Sequence, residues 1–318
     1  FGVNLSSVKF WKILVILLLI PVFLFAKTNN LTKNKPAVEI QLLRNATMKI
    51  TYNNKTILTD PLLADKNSYY GYLDGTKLVN PTSDLTVSVN DILKGIDAVL
   101  VSHTHIPASG ELDLAFSDHF DEKAIEVLNK NIPLLVQPID AEGLKKSGFN
   151  NIKSIEKEMA WNGISIERFD VKHMDIDSLL PMVGGSSGYV LRAKNNPTIL
   201  WAGDTVITEE LKKKIIEIKP DIIIIHPAEA QVPLSLEMKE NFGKMGMPVD
   251  KNVNKFTLLM GVEGAIEIAK LAPNAKIISV HLESIDHCPV TRDELKKAAK
   301  NAGVKNIIVP ENGEILSF

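Results

Sequence analysis

Seven histidines are spread along this 318-residue chain, and five stand where an apolar run has just ended or a helix is about to begin. His103 and His105 follow the run AVLVS at 98–102, and His119 stands just before a helical pattern that opens at Asp121. His173 follows ISIERFDV at 164–171, and His281 closes AKIISVH at 275–281. Two aspartates are placed in the same way, Asp204 after TILWAG and Asp60 after KTILT. Imidazole and carboxylate suit zinc and similar divalent ions, and histidines at i and i+2 on a tight loop can reach one ion. One such histidine alone is more often a hydrogen-bonded structural residue. Five of them together with two aspartates point to a metal site.

The elements that must position these residues are strands feeding one edge. In an open α/β sheet the loops after the strand C-termini converge there. Strands are expected at 37–43, 48–53 and 55–61, with Asn53-Asn54 as a tight turn between the second and third. Unbroken apolar runs at 98–102, 133–137, 198–203, 221–226 and 275–281 read as buried strands, joined by 164–171 and 188–193. Helical patterns lie at 121–130, 208–218, 261–271 and 292–302. Asp121 caps the first, and Thr208 caps the second with Glu209 and Glu210 in its first turn. Strands alternating with helices from about residue 98 onward predict α/β layers. The polar stretch 64–90 reads as a loop. Residues 228–256, with Met238, Met245 and Met247 among charges and glycines, read as a long loop over one edge of the fold.

Several function classes fall away. Lys and Arg number 36 against 38 Asp and Glu, so no cationic excess exists for nucleic acid. The glycines of VGGSSGY at 183–189 lack the strand-then-helix setting of a phosphate cradle and read as a turn into a strand. No Gly-x-Ser-x-Gly elbow occurs, and Cys288, the single cysteine, has no recognisable nucleophile context. A lone cysteine also rules out an intrachain disulfide, so the core alone must hold the domain. At the N-terminus, FWKILVILLLIPVFLFA (10–26) with Lys9 and Lys12 near its start has the pattern of a signal peptide or a retained membrane anchor. The protein is therefore expected outside the cytoplasm, as an exported periplasmic or extracytoplasmic protein or one attached to the membrane by its N-terminus.

The motif order carries a resemblance. SHTH at 102–105, DHFD at 118–121, His173, AGDT at 202–205 and His281 resemble, in that order, the metal motifs of the metallo-β-lactamase superfamily. The segments 44–64, 92–105, 201–205 and 275–288 look like a bacterial branch of hydrolases with that fold, distantly similar to the ascorbate-phosphate lactonase group. The resemblance spans roughly residues 37–316. It implies a four-layer αββα sandwich, with 1–35 as signal peptide or anchor plus linker and 36–318 as the hydrolase domain. It also implies two divalent metal ions, zinc first, with Mn2+ or Fe2+ also fitting such ligands. His103, His105 and His173 would hold the first ion; Asp118, His119 and His281 would hold the second; Asp204 would bridge them. Asp60 would orient a ligand histidine.

The activity implied is hydrolysis of an ester, lactone, amide or phosphoester bond in a small-molecule substrate by metal-activated hydroxide. Asp118 would also orient the nucleophile or take its proton. His287, six residues past His281, is a candidate proton donor or substrate contact. His226 has no ligand role in the family motif and reads as a supporting residue, and Cys288 reads as packing. One departure matters: PASGELDLAFS (107–117) interrupts the usual His-x-His-x-Asp-His, and is expected to loop out so that the two halves still meet. Glu111 and Asp113 within it are alternative carboxylates. If the halves do not meet, Asp118 and His119 leave the site and it becomes mononuclear, the alternatives then being a mononuclear enzyme or a non-catalytic metal-binding protein. A diiron redox reading is opposed by His105, where that branch carries glutamate.

Overall fold

The computed structural model describes Phe1, residues 37–106 and residues 118–318. The apolar N-terminal run and the 107–117 insertion, with Glu111 and Asp113, lie outside the described residues. Among the described residues no helix is long and apolar enough to cross a membrane.

In chain order the strands are β1 (Val38–Arg44), β2 (Thr47–Tyr52), β3 (Lys55–Thr59), β4 (Tyr69–Tyr70), β5 (Leu78–Asn80), β6 (Ala98–Leu100), β7 (Leu134–Val136), β8 (Ile152–Ser154) and β9 (Glu158–Trp161). They continue as β10 (Ile164–Val171), β11 (Ser186–Arg192), β12 (Ile199–Trp201), β13 (Ile222–Ile225), β14 (Gln231–Pro233), β15 (Lys255–Thr257), β16 (Lys276–Ser279), β17 (Ile307–Ile308) and β18 (Ile315–Ser317). Two seven-stranded sheets result, in the orders β18-β1-β2-β3-β6-β7-β8 and β17-β16-β13-β12-β11-β10-β9. The helices are α1 (Val89–Leu93), α2 (Glu122–Val127), α3 (Ala141–Lys146), α4 (Leu180–Val183), α5 (Glu209–Ile218), α6 (Leu236–Lys244), α7 (Val262–Leu271) and α8 (Arg292–Asn301).

The period-2 alternation of strand side chains explains why the apolar runs are unbroken. In β13, Ile222 and Ile224 face the other sheet, meeting Ile40, Leu42, Ile50 and Leu100. Ile223 and Ile225 face the opposite way, onto Leu211 and Ile215 of α5 and Ile268 of α7. The first sheet repeats this pattern: Ala98 and Leu100 point inward, while Val99 packs outward with Ile92, Ala124 and Leu144 of α1, α2 and α3. Three apolar layers thus separate helix, sheet, sheet and helix. This is the four-layer αββα sandwich of the metallo-β-lactamase fold, as the resemblance implied.

Two stretches differ from expectation. Residues 228–256 are not one long loop: they hold α6 and β14, which pairs with β15 as a small antiparallel ribbon. Ser235 caps α6 by accepting the Met238 amide at 3.1 Å, and Met238 and Phe242 turn toward the main core. Residues 64–90 likewise contain the ribbon β4–β5 and the start of α1.

Strand directions create the site edge. β3 and β6 run parallel, as do β12, β13 and β16. Two antiparallel steps through β11 make β10 run the same way as β12. The loops leaving β3, β6, β10, β12, β13 and β16 therefore open at one end of the sandwich, carrying Asp60, His103, His173, Asp204, His226 and His281.

Candidate metal centre

Asp60 organises the first sheet's contribution. It is fully buried; its Oδ1 accepts the Ser102 amide at 2.7 Å and its Oδ2 accepts the Ser102 hydroxyl at 2.6 Å. The same Oδ2 accepts His119 Nδ1–H at 2.6 Å. Because the Ser102 proton goes to Asp60, the serine oxygen accepts from His103 Nδ1–H at 2.9 Å. One carboxylate thereby fixes two imidazoles with protons on Nδ1 and Nε2 turned to the site, His119 directly and His103 through Ser102. His173 is fixed the same way, donating Nδ1–H to the Leu258 carbonyl at 3.2 Å.

The second sheet supplies Asp204. Gly203 sits at φ +64°, where a Cβ would lie 2.5 Å from the Ser187 carbonyl oxygen, so the turn presenting Asp204 requires glycine. The carboxylate's Oδ1 accepts His226 Nδ1–H at 2.5 Å, and His226 Nε2 accepts the Trp201 indole N–H at 3.0 Å. An indole N–H only donates, which fixes the proton of His226 on Nδ1. Both ring nitrogens of His226 are then committed, and it acts by positioning Asp204. The other oxygen, Asp204 Oδ2, lies 3.1 Å from His119 Nε2, 3.7 Å from His173 Nε2 and 3.8 Å from His281 Nε2.

The two halves of the interrupted motif come together. Asp118 and His119 lie two to three residues before Asp121, the N-cap of α2, which accepts the Ala124 amide at 2.7 Å and, through its other oxygen, the Leu63 and Ala64 amides. The His103 and His119 rings are 4.2 Å apart. Potential ligand atoms of His103, His105 and His173 lie within 4.8 Å of one another, as do those of Asp118, His119 and His281. His281 Nε2 lies 3.2 Å from both Asp118 Oδ2 and His119 Nε2. Asp60, His105 and His281 all have positive φ, a conformation that costs a non-glycine residue about 1 kcal/mol or more and clusters at functional sites.

The residues fit divalent metal on their own chemistry. His103 Nε2 is buried with no hydrogen-bond partner, and an orphaned imidazole lone pair facing other donors is costly without a cation. Burial and the neighbouring imidazoles push His103 well below its ordinary range; burial and His173 take His105 to about 3; burial lowers His173. These three rings are neutral at pH 7, the form that binds metal. Burial also disfavours charge on His119, but Asp204, Asp118 and Asp60 outweigh it and hold its proton well above the ordinary histidine range.

A raised folded-state pKa means that the stability from charged His119 is present at low pH and lost as pH rises through that value. Metal at Nε2 must displace the same proton. Metal uptake at pH 7 is therefore expected to release about one proton per chain, with affinity rising with pH. Calorimetry in two buffers of different ionisation enthalpy measures this, and no release would mean that His119 carries no proton on Nε2 in the metal-free protein.

A cavity of about 160 Å³ opens onto these groups, lined by His105, Asp118, His173, Asp204 and His281 together with Tyr72 and His287. Tyr72 is a site residue that the sequence did not reveal: its hydroxyl lies 3.4 Å from Asp118 Oδ1 and its ring centroid 4.4 Å from that of His287. His287 Nδ1 is buried without a hydrogen bond, its nearest carboxylate, Asp286 Oδ1, being 3.8 Å away. Asn45 was also unforeseen; its amide donates to the backbone and carboxylate of Asp118 at 3.1 and 3.3 Å. Cys288 Sγ lies 3.8 Å from His281 Nδ1, and burial pushes its thiol pKa up, which suits packing.

Fold and site together define a metallo-hydrolase of the β-lactamase superfamily. The family model described as a β-lactamase superfamily domain matches residues 55–282, and the chain belongs to that family. It is 34% identical over 285 residues to the UPF0173 protein YddR of Bacillus subtilis, covering 88% of this chain and all of that protein. Among solved structures it resembles a possible metal-dependent hydrolase from Veillonella parvula (27% identity, TM-score 0.74, 89% of this chain and 100% of that one). It also resembles an isothiocyanate hydrolase from Delia radicum gut bacteria (29% identity, TM-score 0.73, 88% and 98%).

Proposed function

We propose that the protein hydrolyses a small molecule at an electrophilic carbon, using two divalent ions held side by side at the sandwich edge. The observation that carries this reading is the pair of donor groups, His103/His105/His173 and Asp118/His119/His281, with Asp204 Oδ2 within 3.8 Å of His119, His173 and His281. Zinc suits this nitrogen-rich set, and Mn2+ or Fe2+ also accept it. When bound, such a pair lowers the pKa of a shared water and polarises the substrate oxygen.

The chain's own residues complete the chemistry. His226 and Trp201 hold Asp204 in one orientation, and Asp60 holds His119 and His103. Asp118, facing the cavity, takes the proton that the attacking water gives up. His287, lining the same cavity, donates a proton to the departing atom. Esters, lactones and amides have the required electrophilic carbon. So do isothiocyanates, substrates by name of the 29% identical hydrolase, which supports including one in the substrate panel.

Chelation followed by re-addition of zinc tests the reading. Hydrolysis of at least one panel member is expected to fall by about 10³-fold or more on metal removal and to return on reloading. Retained metal with no hydrolysis across the panel would instead identify a non-catalytic metal-binding protein. Export or membrane attachment through 10–26 remains a proposal from the residue pattern, tested by fractionating cells that express the full chain.

A further inference from the structure

The cavity beside the metal ligands has two chemically different halves. One half is the donor cluster, whose carboxylates Asp118 and Asp204 face inward. The other is an apolar wall built from elements remote in sequence: Met174 after β10, Val183 of α4, Met238 and Phe242 of α6, Phe256 of β15 and Leu258. No lysine or arginine is among the described residues that line it. The insertion 107–117, which joins Ile106 to the cavity residue Asp118, reads PASGELDLAFS and contributes no cation whatever its course.

We infer that the non-reacting part of the substrate is apolar and uncharged, and that substrates whose tail carries an anionic group, an ω-carboxylate for example, are rejected. This rests on the hydrolase reading of the same site and narrows it. Away from the metal ligands, an anionic tail needs an arginine, lysine or helix N-terminus turned to it. Here an anionic tail would exchange water for methionine, phenylalanine and leucine, with nothing along the wall to offset its lost hydration. An apolar tail gains by the same exchange. The wall also suits a range of tail shapes. Met174 and Met238 are unbranched, polarisable side chains that repack around different outlines. Met238 and Phe242 belong to the short helix α6 rather than to a sheet. Selectivity is therefore by polarity more than by outline.

Alkyl hydroxamates of increasing chain length, with an ω-carboxylate analogue of the longest, separate these properties on zinc-loaded protein. The hydroxamate engages the metal and the tail enters the cavity. Calorimetry is expected to give about fourfold tighter binding for each added methylene until the cavity is filled. The ω-carboxylate analogue is expected to bind more than about tenfold more weakly than its neutral counterpart. A series flat in chain length, or an analogue that binds as tightly as the neutral compound, would overturn the inference. Metal content and the fluorescence of neutral N-phenyl-1-naphthylamine on chelated protein keep the two readings apart. Protein that holds no zinc but brightens the dye, with the effect lost in Met238→Glu/Phe242→Glu, would sink the metallo-hydrolase reading and keep the apolar pocket. Zinc-loaded protein that binds neither dye nor tail would do the reverse.

Discussion

Replacing Asp118 and His119 together with alanine is expected to lower the metal content from about two ions per chain to about one and to cut hydrolysis by about 10³-fold or more. The geometry sets the direction. Asp118 and His119 form, with His281, the donor group proposed for the second ion, and their loss leaves His281 as the only member of that group. His103, His105 and His173 keep their own supports, Ser102 for His103 and the Leu258 carbonyl for His173. The first ion should therefore stay while the second is lost. The substitution also removes one partner each from Asp60 and Asp204, so a fall in thermal stability should accompany it. Elemental analysis of folded, monodisperse protein separates loss of a site from loss of the fold. About one ion in both wild type and variant would mean that the site is mononuclear and that Asp118 acts only on protons. About two in both would remove the pair from the ligand set.

The sequence made the edge of this site legible and its wall illegible, for physical reasons. Parallel strands buried on both faces must be apolar throughout, so a polar residue that ends such a run stands out: His103 after β6, Asp204 after β12, His281 after β16. Asp121 and Thr208 were readable as helix caps because capping chemistry is local, and both caps are present. Tyr72 had no such signal. Its backbone is tied by the Tyr72 and Leu73 amides donating to Asp286, a contact across more than 200 residues that no local pattern encodes. The helix in 228–256 was missed because only a short stripe of LEMKENFGK is apolar, with Gly243 near its end, so neither periodicity nor propensity dominates. The role of Ser102 was visible only as part of SHTH. That it relays Asp60 to His103 depends on two strands meeting in register. The sequence marks His226 as a supporting residue, but its partners, Asp204 and Trp201, lie just after and on the neighbouring strand and are set by the pairing of β12 with β13.

Asp60 stands behind the candidate ligands, holding His119 directly and His103 through Ser102. Asp60 accepts three donors at a fully buried position, the Ser102 amide, the Ser102 hydroxyl and His119 Nδ1–H. Asp60→Ala leaves all three without an acceptor, at about 1–3 kcal/mol each, so it tests mainly the fold. Asp60→Asn is more informative because it preserves shape. Its carbonyl can replace Oδ1 toward the Ser102 amide, but its NH2 then faces His119 Nδ1 and the Ser102 hydroxyl, which formerly donated. The conflict is relieved if His119 gives up its Nδ1 proton, accepts through Nδ1 and keeps its remaining proton on Nε2, the nitrogen turned to Asp204, Asp118 and His281. Metal affinity is therefore expected to fall by about 10–100-fold. The reversal of the Ser102 hydroxyl carries part of this loss to His103. Zinc titration of Asp60→Asn against a chromophoric chelator measures the affinity, and chemical denaturation of the metal-free protein measures the fold. A large loss of stability with unchanged affinity would make Asp60 a core residue only. Weakened affinity in a protein of near wild-type stability would show that this carboxylate sets which imidazole nitrogen the site presents to metal.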